Sequence, residues 1–97
     1  MPRALVLHPD DNVATLIDAG RAADLVQLTG EMTARLELLA DIPFGHKCAI
    51  RAIAKGDEIR KYGQIVGRAT AQIRTGDHVH VHNVEALRGR GDISENR

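Results

Sequence analysis

One pattern, Ile-x-x-Gly-Asp-x-(Ile/Val), occurs at Ile53-Ala54-Lys55-Gly56-Asp57-Glu58-Ile59 and again at Ile73-Arg74-Thr75-Gly76-Asp77-His78-Val79. In each copy a Gly-Asp pair marks a tight turn and the apolar residues mark the strand that it launches, with glycine at the position needing a permissive backbone. Two copies are too few for a stacked solenoid. They suit a small β-fold built from pseudo-two-fold halves.

The rest of the chain agrees with short strands broken by turns. Apolar runs over 4–8, 13–17, 24–28 and 32–39 predict strands, punctuated by Pro9 with Asp10-Asp11-Asn12, by Asp18-Ala19-Gly20 and by Thr29-Gly30-Glu31. Asp41 to Lys47 reads as a loop around Pro43 and Gly45, and 48–53 as the next strand. The stretch 61–70 is expected to be one strand bracketed by two glycines. With 97 residues, one Phe, one Tyr and no Trp, the core of this all-β domain must be aliphatic. The domain is expected over 1–88, followed by a polar tail over 89–97.

Thirteen basic and thirteen acidic residues cancel, which removes the electrostatic case for a nucleic acid or an anionic membrane as partner. The opening apolar run is too short for a signal peptide or a membrane span, and a lone cysteine, Cys48, fits a reducing compartment. A cytoplasmic location is therefore expected.

Candidate chemistry concentrates in Thr75-Gly76-Asp77-His78-Val79-His80-Val81-His82-Asn83. Strict alternation predicts a strand with Val79 and Val81 inward and His78, His80 and His82 on the opposite, working face. Imidazoles two residues apart on a strand can both reach one ion, but three on a straight strand cannot easily do so. With no Cys, Asp or Glu cluster to complete a coordination shell, no metal site is expected within this chain alone. The plainer reading is a solvated strand face. Gly45-His46-Lys47 puts an imidazole beside an ammonium, suited to binding a carboxylate with His46 available for proton transfer. Lys61-Tyr62-Gly63 adds a cation and a phenol at a hinge, although a tyrosine in such a place is more often a half-buried packing residue.

Taken together and in this order, Gly45-His46-Lys47, Ile53-Ala54-Lys55-Gly56, Lys61-Tyr62-Gly63 and Gly76 to Asn83 resemble the N-terminal domain of the altronate/galactarate dehydratase family, and Asp11-Asn12-Val13-Ala14 also fits. The resemblance covers roughly residues 4–88. It implies a SAF-type β-clip, a fold related in shape to type III antifreeze protein. It also implies β-elimination on a sugar acid to a 2-keto-3-deoxy acid, with a divalent metal, iron or manganese, held mainly by a larger chain.

In the fused enzymes a much larger catalytic domain follows this module. The resemblance therefore implies a separate small subunit, inactive without a large dehydratase-type subunit. The same two-chain arrangement, with sulfite as leaving group and pyruvate as product, belongs to sulfolactate sulfo-lyase, which is the alternative reading. A carbohydrate- or protein-binding β-clip with no catalytic role is the third. On the lyase readings, His78, His80, His82 and His46 are the candidate catalytic residues. Lys47, Tyr62 and Asn83 are the candidate contacts to a small carboxylate substrate. An isolated copy is expected to be able to dimerise through an open strand edge.

Overall fold

The computed structural model describes residues 1–86. Among them the chain order is β1 (Arg3–Val6), β2 (Val13–Leu16), β3 (Leu25–Gly30), β4 (Ala34–Glu37), β5 (Lys47–Ala49), β6 (Glu58–Lys61), β7 (Gln64–Ala69), β8 (His78–Val79) and β9 (Val84–Ala86). The fold is all-β, as the short apolar runs and turn signals predict. One sheet has the order β4-β3-β1-β2-β5-β8 and the other β6-β7-β9. Most neighbours pair antiparallel, whereas β1 and β3 run parallel with Ala4 opposite Leu28. The tail expected over 89–97 lies outside the described residues.

Most of the framework rests on one turn, used four times among the described residues. Ile53 and Ile73 form an antiparallel bridge in which each N–H donates to the other's carbonyl at 2.8 Å. From each, the chain makes the same corner. Asp57 N–H closes onto Ala54 O and Asp77 N–H onto Arg74 O, both at 2.9 Å, with Gly56 and Gly76 at φ +93° and +92°. The Gly56 amide donates to Ala69 O while the Ala69 amide donates back to Asp57 O; Gly76, Ala49 and Asp77 repeat this arrangement. Finally, each Asp carboxylate accepts from the second residue of its corner: Ala54 N–H at 3.3 Å and Arg74 N–H at 2.7 Å.

The other pair is Gly20 to Asp24 and Ile42 to His46. Gly20 and Ile42 form the second reciprocal bridge. Ala23 and Gly45 donate to Leu38 O and Leu16 O, and Leu38 and Leu16 donate back to Asp24 O and His46 O. Sequence spacing shows only two of these corners. Ala23 holds φ 76° without being a glycine, and His46 stands where the other three corners have aspartate.

The aliphatic core divides in two. One cluster gathers Ala4, Val6, Leu16, Val26, Leu28, Leu38 and Ile42 around the large sheet, and the other gathers Val13, Ile53, Ile59, Ile73 and Val79 around the Ile53 and Ile73 corners. Cys48 is buried in the first, and burial pushes its thiol up to about 11, so it is a packing residue.

Three expected strands are corrected. The stretch 61–70 is a hairpin, because Tyr62-Gly63 turn back with φ of 59° and 72° and β7 pairs along β6. The strand expected over 48–53 ends at Ala49, where the chain leaves the ladder for the Ile53 bridge. The long histidine strand over 75–83 shrinks to the two residues of β8, and Val81, expected inside, is 81% exposed.

Candidate functional site

The break after Val79 is what assembles the site. Strand β8 reaches only Lys47 and Cys48 of β5, so the backbone beyond Val79 needs other partners. Asn83 supplies them. Its Oδ1 accepts from His80 N–H at 2.9 Å and its Nδ2 donates to His78 O at 2.9 Å, while its own N–H donates to His80 O at 3.1 Å. Short amides compete with strand ladders in this way. The resulting turn carries Val81 at its tip and folds His78, His80 and His82 towards one another.

His46 arrives from the corner that departs from the aspartate rule. In the other three corners the aspartate carboxylate accepts the N–H of the corner's second residue. Here that residue is Pro43, which has no N–H. Nothing in the turn needs a carboxylate at position 46, so the histidine is released from a structural task and its ring turns towards β8.

The outcome is a nest of imidazoles. His46 Nδ1 and His78 Nε2 lie 2.9 Å apart, a hydrogen bond in which one ring nitrogen carries the proton and the other accepts it. His80 stacks on His46 at 4.4 Å between centroids and lies 5.2 Å from His78, almost parallel to it. His82 touches His78 at 5.4 Å. Ligand atoms of His46, His78 and His80 all fall within 4.8 Å of one another. On a straight strand His78 and His80 would lack this third nitrogen; the bend and the loop residue provide it.

Partial burial lowers the His78 and His80 pKa values below the ordinary imidazole range, with the neighbouring His46 charge adding to the effect. Lys47, on β5, is also lowered, first by burial and then by Lys61. Lys47 and His80 stand at one side of a groove of about 250 Å³ whose other walls are aliphatic: Ile59, Val66, Val79 and Val84 among them. Neutral imidazoles, a cation and a dry wall are the elements of a proton-transfer site for a small carboxylate.

The structure therefore brings together His46, His78, His80, His82 and Lys47. Asn83 is buried directly beneath, and its amide is engaged by the backbone of its own turn. Tyr62 sits on the neighbouring β6–β7 turn, 61% exposed, with Lys61 Nζ 5.3 Å from its ring centroid.

The residue that sequence reasoning overlooks is Asp11. It is fully buried, and its carboxylate accepts Tyr62 N–H at 3.0 Å and Gly63 N–H at 2.8 Å. Its backbone oxygen accepts from Arg51 Nη2 at 2.7 Å. Asn12 adds a bond in each direction, to Glu58 O and from Arg60 N–H. In the sequence these residues read as a turn cluster after Pro9 and as part of the family resemblance, and neither reading shows their partners, which lie some fifty positions away.

Comparison with known proteins agrees with this architecture. The sequence model of the altronate/galactarate dehydratase SAF domain matches residues 2–87. The (2R)-sulfolactate sulfo-lyase subunit alpha of Chromohalobacter salexigens is 40% identical over 89 residues, spanning 86% of this chain and 94% of that subunit. Altronate dehydratase of Bacillus subtilis is 33% identical over 85 residues, which is 88% of this chain but only 16% of that enzyme. Altronate dehydratase of Escherichia coli is 40% identical over 79 residues, or 15% of its length. Among the described residues no helix is long and apolar enough to cross a membrane. The chain belongs to the altronate/galactarate dehydratase SAF-domain family, whose relatives are lyases.

Proposed function

We propose that this chain is the small subunit of a β-eliminating lyase and acts on a 2-hydroxy carboxylate in a pocket completed by a larger dehydratase-type chain. The observation that carries the reading is the convergence of His46, His78 and His80 beside Lys47 in a chain of this family. Lys47 would pair with the substrate carboxylate. An imidazole of the nest, His82 when an ion holds the other three, would take the proton from the carbon next to that carboxylate. The C–H electrons form the new double bond, and the bond from the neighbouring carbon to its leaving group breaks with its electron pair. The enol that remains takes a proton on carbon, gives up its hydroxyl proton to water and becomes a 2-keto acid. Depressed imidazole pKa values keep these groups in the basic form near neutrality. The divalent metal expected from the resemblance would polarise the carboxylate, and the converging histidine nitrogens suit such an ion.

Similarity that spans 94% of a sulfo-lyase alpha subunit favours sulfite as the leaving group and pyruvate as the product. Loss of hydroxide from an altronate- or galactarate-type sugar acid is the second reading, favoured by the matches to two altronate dehydratases. In that case the nest must also hand a proton to the departing oxygen, and the imidazole that has just taken the carbon's proton can return it there.

The test is to isolate this chain from its native extract with its partners and to assay the complex on (2R)-sulfolactate, altronate and galactarate. A stoichiometric large dehydratase-type chain is expected, with turnover that His80→Gln abolishes while the complex stays intact. Recovery of the chain without such a partner, or undiminished turnover in His80→Gln, would overturn the reading and leave a binding module.

A further inference from the structure

We infer that His46, His78 and His80 form a metal site belonging to this chain itself, which binds one divalent transition-metal ion before any larger partner docks. The inference stands on the geometry of the nest and not on the lyase reading.

Three features support it. First, three imidazole nitrogens from two separate segments converge within 4.8 Å, and neutral imidazole is a ligand shared by zinc, iron, copper and nickel. Second, the separation of His46 Nδ1 from His78 Nε2 is 2.9 Å. With metal–nitrogen bonds of about 2.1 Å, adjacent ligands of an octahedral ion stand about 3.0 Å apart and those of a tetrahedral ion about 3.4 Å. The pair thus fits one edge of a six-coordinate ion. Third, both segments are held from behind. Asn83 pins the backbone of His78 and His80, and the Pro43 corner fixes the loop that carries His46, so ordering the ligands costs little when the ion arrives.

The hydrogen now shared between His46 and His78 must move for the ion to enter. It passes through solvent to the other nitrogen of the same ring, a change of tautomer that leaves both rings neutral and releases no proton overall. The cation then occupies the place of the hydrogen. Three histidines clustered on one surface take up one side of the ion. The remaining positions are open to water, to substrate oxygens or to groups from a partner, which is the arrangement of a reactive rather than a purely structural metal site.

The test uses the full 97-residue chain, stripped of metal with a chelator and titrated by calorimetry with Mn²⁺ and Co²⁺ in the absence of substrate and partner. The result expected is saturable 1:1 binding, with bound Co²⁺ showing the weak visible absorption of six-coordinate cobalt. His46→Gln, His78→Gln and His80→Gln should each weaken binding at least tenfold, whereas His8→Gln, outside the set of converging nitrogens, should change it less than threefold. Circular dichroism and thermal melting of each variant separate lost ligands from lost fold. His78→Asn, which keeps a polar side chain at the turn, replaces any Gln variant that fails to fold. Absence of saturable binding, or binding unchanged in a folded His78 variant, would overturn the inference. Binding by a chain that finds no lyase partner would leave the inference standing while the proposed function fell, so the two fail separately.

Discussion

Asp11 is the more deeply buried of the two buried polar residues among those described. Its carboxylate is fully buried and gathers the two amides at the β6–β7 turn, where Tyr62 is held at a positive φ of 59° that a tyrosine rarely adopts. Buried charge is tolerated only where donors surround it, and removing an acceptor strands those donors. Asp11→Asn keeps one oxygen of the two and turns an amide NH₂ towards a backbone donor. It should destabilise the fold by about 1–3 kcal/mol in urea unfolding, with the loss of amide-exchange protection greatest at Tyr62 and Gly63. A variant as stable as the parent would show that solvent replaces the lost acceptor. Nothing in the sequence points to this role, because a buried aspartate and a surface turn aspartate look alike until the partner fifty residues on is placed.

The corner is the element that determines most of the topology, and its four copies were only half legible. The Gly-Asp pair at the fourth and fifth positions made two of them visible. The Ala23 and His46 corners keep the same hydrogen bonds with different side chains, so a search by residue type passes over them. The histidine strand failed for a related reason: alternation of His and Val measures side-chain period, whereas the length of a strand is set by its ladder partner, and β5 offers β8 only two residues. The grouping of the histidines was nevertheless readable from their number and spacing, while the part played by His46 was readable only as a neighbour of Lys47. Equivalent glycines in two corners should respond differently to the same change. Gly56 and Gly76 share their φ, but a methyl on Gly56 meets open space, whereas one on Gly76 runs into the carbonyl of Glu37 and the side chain of Leu39. Gly56→Ala should cost about 1–2 kcal/mol, the penalty for the left-handed backbone alone. Gly76→Ala should cost roughly 3 kcal/mol or more, because backbone must also move. Equal losses in parallel denaturation curves would mean that the corners are looser than their hydrogen bonds suggest.

At the scale of the whole molecule, the formal charge is zero with histidines neutral, so acidification acts mainly through the imidazoles and four of the five crowd into one nest. His78 and His80 are lowered in the folded state, chiefly by burial and then by one another's neighbours. The unfolded chain therefore takes up protons first as pH falls. Their contribution to stability is fully present above the ordinary histidine value of about 6.5 and is lost as pH drops through the lower folded values. In chelator-treated buffer the melting temperature should hold steady from pH 8 to 7 and fall below about 6.5, and the double variant His78→Gln/His80→Gln should flatten that fall. An unchanged slope in the double variant would assign acid sensitivity to other groups. The proline corner has a wider consequence. In a frame that repeats one joint, three joints use the side chain at the fifth position to hold themselves closed and the fourth does not. Stability and reactivity are thus written at different addresses, and the address at 46 can be rewritten freely. The same exchange, proline for Ala54 or Arg74 together with a new side chain for Asp57 or Asp77, would open further vacancies on the same scaffold, so that a reactive group could be relocated around the molecule while the joints themselves stay shut.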